Sequence, residues 1–310
     1  MSNRGPRNPV SEEPLLSGFL NLYKPSGMTS RKVVDAVERL VRPAKVGHAG
    51  TLDPLAEGVL VVGVGQATRL LSYVQRMPKH YVGTFLLGRR SETEDVEGTV
   101  FELPAAPRPT EEAIKEDLRE FHGGYEQTPP AYSALKVSGR RAYQLARQKR
   151  EVTLAPRRVA IYGLAVQEYA YPKLVLEIEC GGGTYVRTLG RDVARRLGTD
   201  AVMSALVRRA VGHFRAEDAC GIEKLSRQSI TALLRPLADA VGALPRLELS
   251  SEDVEELRHG RRIERGQPPG EEEFAGFAAD GRLVSILGVG PEGRLRPTRN
   301  FLSPSGPTDG

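Results

Sequence analysis

Apolar residues are spaced along the first two thirds of this chain in a way that predicts a mixture of strands and helices. Helical spacing predicts an amphipathic helix capped by Thr29 or Ser30 and stopped by Pro43, and a second helix closed by Gly198. Runs of apolar residues predict strands at 18–23, 59–64, 80–87, 159–166 and 174–179, and helical spacing adds helices at 66–75, 110–121, 139–149 and 186–197. Because these elements do not repeat as regular βαβ units, the pattern predicts an α+β fold with a large mixed sheet.

The composition changes after Pro236, where short segments broken by Gly and Pro replace the longer elements. The pattern there predicts a short helix at 251–258 and strands at 281–289 and 294–301. We therefore expect a large domain over 15–244 and a small β-rich domain over 245–302. Residues 1–14 are polar and are predicted to be a disordered tail, and residues 303–310 form a C-terminal tail.

The composition is that of an ordinary globular protein, with 40% hydrophobic and 27% charged residues. No apolar run has the length of a membrane span or of a signal peptide, which predicts a cytoplasmic protein without membrane contact. Two cysteines and scattered histidines offer neither a disulfide framework nor the ligand spacing of a metal site, so we expect no bound metal.

The net charge of +5 is a weak indication of a polyanionic partner, and its distribution is more informative. Residues 136–158 hold eight basic residues and one acid, Glu151, and residues 187–209 hold six arginines and two aspartates. Such segments are typical of phosphate-contacting surfaces, although solvated helix faces have the same composition.

The loop before the strand at 59–64 holds the best candidate for a reactive group, Asp53. It reads Gly-His-Ala-Gly-Thr-Leu-Asp-Pro-Leu-Ala-Glu-Gly over 47–58, and its glycines and prolines predict a rigid loop. Local chemistry alone favours a structural role for Asp53, which would open a turn before Pro54. Glu57 follows four residues later, which leaves open a hydrolase with two carboxylates.

Three further segments accompany this loop in order: Tyr-Lys-Pro-Ser-Gly-Met-Thr-Ser at 23–30, the run from Pro129 to Arg147, and Gly-Thr-Tyr-Val-Arg-Thr at 183–188. Together with the loop they resemble the TruB family of bacterial tRNA pseudouridine-55 synthases over about residues 18–215. The segment after 245 resembles a pared-down PUA-type RNA-binding domain more weakly.

The resemblance implies an isomerase that converts uridine to pseudouridine in the T loop of tRNA, acting on a flipped-out base without a cofactor. It implies three catalytic residues, Asp53, its partner Arg187 and the tyrosine Tyr81. It also implies the substrate-binding or RNA-binding residues His48, Lys24, Asp95, Leu206 and Arg208, and the basic segment adds Lys136, Arg140 and Arg141. Val207 stands where the family usually has arginine, which puts the role of Arg209 in doubt.

Two other functions remain open at the level of sequence. A non-catalytic RNA-binding chaperone would bind tRNA and leave it unmodified, and a nucleoside or glycoside hydrolase using Asp53 and Glu57 would release the free base. We expect tRNA, through its T stem-loop, to be the partner of a monomeric protein.

Overall fold

A computed structural model describes residues 16–132, 136–137, 140–141, 154–264, 270–290 and 293–302. The predicted tails at 1–14 and 303–310 lie outside these residues. So does most of the predicted helix at 139–149, but Arg140 and Arg141 contradict it because they form a short strand.

A nine-stranded mixed sheet forms the centre of the molecule, as the sequence pattern predicts. In chain order, the strands of the whole structure are β1 (Gly18–Lys24), β2 (Val46–His48), β3 (Glu57–Val64), β4 (Lys79–Leu87), β5 (Arg89–Arg90), β6 (Phe101–Glu102), β7 (Tyr125–Gln127), β8 (Lys136–Val137), β9 (Arg140–Arg141), β10 (Arg157–Val159), β11 (Ile161–Ala170), β12 (Lys173–Cys180), β13 (Ala201–Val211), β14 (Phe214–Arg215), β15 (Cys220–Gly221), β16 (Arg246–Glu248), β17 (Glu273–Phe277), β18 (Leu283–Val289) and β19 (Leu295–Asn300). The large sheet has the order β11-β12-β4-β13-β3-β1-β15, with β2 on β3 and β14 on β13. The pairs β13–β3 and β1–β15 are parallel, and the other pairs along this order are antiparallel.

The helices pack on the sheet, and most of them begin where the sequence predicts. They are α1 (Ser30–Val41), α2 (Leu71–Arg76), α3 (Glu111–Leu118), α4 (Val186–Arg196), α5 (Ile230–Leu233) and α6 (Ser251–Arg258). The Thr29 hydroxyl accepts from the backbone N–H of Lys32 at the start of α1, and Thr110 caps α3 in the same way. Residues 65–70, predicted as α-helix, form a 3-10 helix before α2.

Both faces of the central strands are buried, which explains their unbroken apolar sequences. On β3, Leu60 and Val62 pack with the apolar face of α1, whereas Val59 and Val61 pack on the opposite side of the sheet. A further cluster holds α3 and α4 against β4 and β12.

Strand β13 lies between β4 and β3 and was not predicted, because Arg208 and Arg209 interrupt its apolar pattern. The predicted strand at 159–166 is split at Ala160, so that β10 pairs with β7 and β11 pairs with β12. Strand β13 runs parallel to the start of β3 at Glu57 and Gly58, just after the Asp53 loop.

The C-terminal strands β16–β19 form a separate four-stranded sheet, which agrees with the predicted small β-rich unit. The predicted helix at 251–258 is present and begins with a capping box between Ser250 and Asp253. One apolar cluster joins this sheet to the large one, since Phe277, Ile286 and Phe301 pack with Phe19 and Phe214. The domain boundary at 244 stays a prediction. The residues on its two sides share this apolar cluster.

Gly58, at the start of β3, is a sensitive point for stability. Its φ is +104°, and a β carbon there would overlap the backbone carbonyl of Arg208 on β13. We expect Gly58→Ala to lower the free energy of unfolding by about 3 kcal/mol or more. Urea denaturation measures the change, with Gly123→Ala as the control, since Gly123 has a φ of +78° and open space around it. Equal losses of about 1 kcal/mol in both variants would show that backbone strain alone matters at Gly58.

Candidate active site

A cleft of about 640 Å³ opens between the Asp53 loop, the N-terminus of α4 and the strands β4 and β13. It is lined by residues 49–54 together with Lys79, Tyr81, Tyr132, Arg157, Tyr185, Arg187, Leu206 and Arg208. Three of these, Asp53, Tyr81 and Arg187, are the predicted catalytic residues. Residues more than a hundred positions apart in sequence therefore meet at one cleft.

Buried charge marks the same region of the molecule. Within the described ranges, the buried charged side chains are Lys24, Lys79, Glu94, Asp95, Arg187 and Arg208, and all of them lie at the cleft, under its loop or against α4. Burying a charge is costly unless it is paired or hydrogen-bonded, and such groups gather at functional sites more than elsewhere.

The segment at 24–30 holds the Asp53 loop in place through hydrogen bonds to the backbone of Leu52 and Pro54. The Ser30 hydroxyl exchanges two 2.9 Å hydrogen bonds with the backbone of Leu52, and Gly27 donates its N–H to the Pro54 carbonyl at 2.7 Å. The Lys24 ammonium donates to the carbonyls of Pro25 (2.9 Å), Met28 (2.6 Å) and Pro54 (3.3 Å). The early Lys-Pro motif thus fixes the loop that carries the carboxylate.

Lys24 has a structural role in this loop. Its side chain is fully buried, and its ammonium donates to three backbone carbonyls, so it supports the loop; its predicted part in substrate or RNA binding stays a prediction. Burial lowers the pKa of the Lys24 ammonium to about 8, and the Asp53 carboxylate partly opposes this.

Asp53 is held by an ion pair with Arg187. Its Oδ2 lies 3.0 Å from Nε of Arg187, and the Asp53 side chain is 36% exposed whereas that of Arg187 is 8% exposed. The carboxylate can therefore be reached from the cleft while its partner is enclosed.

The remaining nitrogens of Arg187 are fixed by the acidic loop at 91–98 and by Tyr132. Nη1 donates to the Thr93 carbonyl at 2.7 Å and to Asp95 Oδ2 at 3.1 Å, and Nη2 donates to the Tyr132 carbonyl at 3.2 Å. The planar guanidinium is thus bound on several sides, an arrangement that a lysine cannot reproduce. Asp95 is itself buried and acts here as a ligand of Arg187.

Tyr81 and Arg208 face each other across the β4–β13 pair. They are partners in the strand register, and burial raises the pKa of the Tyr81 hydroxyl while Arg208 acts in the opposite direction. Arg208 is buried and donates from Nε to the Val59 carbonyl (2.6 Å) and from Nη2 to the Gly50 carbonyl (3.2 Å). Leu206, two residues earlier, lines the cleft.

Sequence reasoning missed Lys79, which also lines the cleft. Its ammonium donates to the carbonyls of Gln75 and Met77 at the C-terminal end of α2, and burial, together with Arg208, lowers its pKa to about 8. Since Lys79 and Tyr81 are two residues apart on one strand, strand alternation could have placed them on the same face.

Gln127 and Tyr185 were missed as well. The Gln127 amide, fully buried, donates to the Tyr185 carbonyl (3.0 Å) and accepts from the Tyr185 N–H (2.8 Å), which fixes the residue before α4. The Arg157 guanidinium stacks over the Tyr185 ring at 5.1 Å and donates to the Gly183 carbonyl. No sequence signal links these three segments, because the contacts join residues far apart in the chain.

Other predicted residues lie away from the cleft lining or are only partly described. His48 ends the short strand β2, immediately before the loop. Lys136 and Arg141 are register partners in the β8–β9 pair, next to Arg140, and their side chains are outside the description. Glu57 begins β3 and is not among the described residues that line the cleft. The pKa of the Tyr23 hydroxyl is raised mainly by burial and, to a smaller extent, by Glu57.

The segment at 187–209 is not the free positive surface that its composition suggested. Arg187 and Arg191 bind carboxylates, Arg195 pairs with Asp200, and Arg196 pairs with Asp117. Arg208 is buried, and Arg209 is exposed. Most of these charges serve to hold α4 in place.

In the described ranges, no group of three or more His, Cys, Asp or Glu side chains is arranged to hold a metal ion. No helix in those ranges has the length and apolarity to cross a membrane.

Several solved structures have the same architecture. A chain in a structure titled an H/ACA RNP bound to a substrate RNA containing 2′-deoxyuridine superposes with a TM-score of 0.70 at 22% identity, covering 93% of this chain and 86% of that one. A chain of a Cbf5–Nop10–Gar1 complex gives the same TM-score at 24% identity, covering 92% and 85%. These similarities establish a shared fold.

Sequence comparison is more specific. The family model described as TruB family pseudouridylate synthase, N-terminal domain, matches residues 38–186, and the model for the C-terminal domain of tRNA pseudouridine synthase II matches 244–302. A protein of Dehalococcoides mccartyi called tRNA pseudouridine synthase B is 38% identical over 93% of this chain and 98% of its own length. One of the same name from Thermosipho melanesiensis is 44% identical over 79% and 80%.

The family models and the named relatives show that the protein with this cleft and its arginine-paired carboxylate is a pseudouridine synthase. The chain belongs to the TruB family, and the resemblance identified from its motifs is confirmed.

Proposed function

We propose that this protein converts uridine to pseudouridine in tRNA, with uridine 55 of the T loop as its target. The observation that carries the proposal is the Asp53 carboxylate, open to the cleft and held at 3.0 Å by the buried Arg187 in a chain of the TruB family. The names of the relatives support tRNA as the substrate. The T loop and the position within it rest on the family resemblance.

The reaction breaks the bond between N1 and C1′, turns the uracil, and forms a bond between C5 and C1′, after which C5 loses its proton and N1 gains one. Atoms and electrons balance within the nucleotide, so the chemistry needs no cofactor. Asp53 either attacks C1′ or removes a proton from C2′, and both routes require a carboxylate beside the sugar. Arg187 orients that carboxylate through their 3.0 Å ion pair.

The target base must leave its stack to reach Asp53, at a cost of a few kcal/mol. We propose that Tyr81 and Leu206 enclose the flipped uracil, since both side chains line the cleft. His48 lies beside the cleft loop, where RNA would enter. Phosphate contacts by Lys136, Arg140 and Arg141, and RNA contacts by the C-terminal unit, remain part of the proposal.

Nucleoside analysis of tRNA after incubation with the protein tests this function. We expect one uridine to be replaced by pseudouridine, without loss of base. Free uracil would instead indicate a hydrolase, a reading that the position of Glu57 disfavours. Binding to tRNA with every uridine unchanged would indicate the non-catalytic chaperone.

The ring and the hydroxyl of Tyr81 can be separated by substitution. We expect Tyr81→Phe to bind tRNA normally and to turn over about 100-fold more slowly, because the ring that stacks on uracil is retained and the proton-transferring hydroxyl is lost. Tyr81→Leu should lose both. Filter binding and single-turnover assays measure the two quantities, and full turnover in the Phe variant would show that the hydroxyl is dispensable.

Two finer points also belong to the proposal. A monomeric state, which sedimentation velocity would test, is expected for an enzyme whose cleft is formed by one chain. A cytoplasmic location follows from the proposed substrate and is checked by cell fractionation.

A further inference from the structure

Glu94 has an unusual backbone conformation. Its φ is +63°, and in the described part of the chain it is the only non-glycine residue with a positive φ. Its side chain is buried next to α4. A residue with a β carbon is unfavourable in this conformation, which persists only where surrounding contacts hold it.

The conformation lets two neighbouring side chains reach the same helix. In an extended strand, adjacent side chains point to opposite faces. Here Glu94 Oε2 accepts from the Thr188 hydroxyl at 2.6 Å and Oε1 pairs with Arg191, while Asp95 Oδ2 binds Arg187 at 3.1 Å. Arg187 and Arg191 are one helical turn apart, so the two acids hold successive turns of α4.

The backbone of the same loop is attached to the central sheet. The Met203 N–H donates to the Glu94 carbonyl at 2.9 Å, and the Val96 N–H donates to the Met203 carbonyl at 3.0 Å. Met203 lies on β13, the strand that also carries Leu206 and Arg208. Glu94 therefore links the sheet under the cleft to the helix that carries Arg187.

We propose that Glu94, acting through Arg191 and Thr188, is a positioning residue that fixes the setting of α4, and with it the contact between Arg187 Nε and Asp53. The proposal deepens the function proposed above, on which its kinetic readout rests. Burial raises the pKa of the Glu94 carboxyl, and Arg191 is the main opposing influence, in keeping with a pair enclosed by the protein.

The test compares Glu94→Gln and Arg191→Gln with Asp117→Asn. The last variant weakens the Arg196–Asp117 pair, which also anchors α4 but lies at its other end. Single-turnover rate at saturating tRNA, tRNA affinity and thermal unfolding are measured for each. We expect Glu94→Gln and Arg191→Gln to slow the saturated step by about 10- to 100-fold with affinity changed less than about twofold. Asp117→Asn should lower only the unfolding temperature.

Conservative and double variants sharpen the comparison. Arg191→Lys keeps the charge and should recover part of the rate, and it carries the test if Glu94→Gln does not fold. The double variant of Glu94→Gln and Arg191→Gln should be no slower than the slower single one, because both remove the same contact.

The side-chain Nε–H resonance of Arg187, assigned by its loss in Arg187→Lys, gives a readout that does not depend on activity. We expect this resonance to shift or broaden in Glu94→Gln and to stay unchanged in Asp117→Asn. An unchanged resonance with a wild-type saturated rate in Glu94→Gln would overturn the positioning role. A wild-type protein that binds tRNA without forming pseudouridine would overturn the proposed function instead.

Discussion

Asp53→Asn is expected to lower the rate of pseudouridine formation by on the order of 10⁴-fold or more. Asparagine keeps the shape of the side chain, but it is neither a nucleophile nor a base. The backbone contacts of the loop, including the 3.1 Å bond from the Ala56 N–H to the Asp53 carbonyl, do not involve the carboxylate. Affinity for tRNA should therefore stay within a few-fold of wild type.

Single-turnover analysis of modified nucleosides and a parallel binding assay measure both quantities. Glu57→Gln is the matched control, because it removes the other carboxylate of the same segment. We expect it to remain active. An Asp53→Asn protein with even a few per cent of wild-type activity, free of contaminating enzyme, would remove Asp53 from the central role.

Arg187→Lys is expected to slow the reaction by about 100-fold or more, although the charge is conserved. The guanidinium serves Asp53, Asp95 and two backbone carbonyls at once, and a single ammonium cannot reach all of them. The remaining buried carboxylate of Asp95 would also lose its partner, so some stability should be lost.

The rate at saturating tRNA and the unfolding temperature are both measured here. Arg195→Lys supplies the control, since Arg195 lies on the same helix, is about half exposed and pairs with Asp200 at its surface. It should behave as wild type in both measurements. Near-normal turnover in Arg187→Lys would argue against the pair with Asp53 as a working part of the site.

Much of the fold could be predicted where local sequence decides the structure. The helix at 30–41 has its cap, its apolar face and its terminating proline within one short segment, and the helix at 251–258 has a capping box. The strand at 201–211 could not be predicted in this way, because it buries an arginine. The buried guanidinium of Arg208 is stable there because backbone carbonyls distant in sequence, those of Val59 and Gly50, accept its N–H groups.

The candidate site shows the same limit. Asp53, Tyr81 and Arg187 were found through motifs that resemble a family, and the structure brings them to one cleft. Glu94 was missed because its role depends on a left-handed φ and on a partner on α4, neither of which has a local signature. The positive composition of 187–209 was misleading for a related reason, since the acids that pair with those arginines lie elsewhere in the chain.

The apolar cluster shared by the two sheets has a consequence for how the protein is made. Phe19 begins the cluster and Phe301 completes it, so its two ends emerge from the ribosome on the order of tens of seconds apart. Before Phe301 is synthesised, the last strands cannot pack on the apolar face of β1 and β3. A chain paused during translation before Phe301 would expose this surface, so we expect the nascent chain to need protection from aggregation until synthesis has passed that residue.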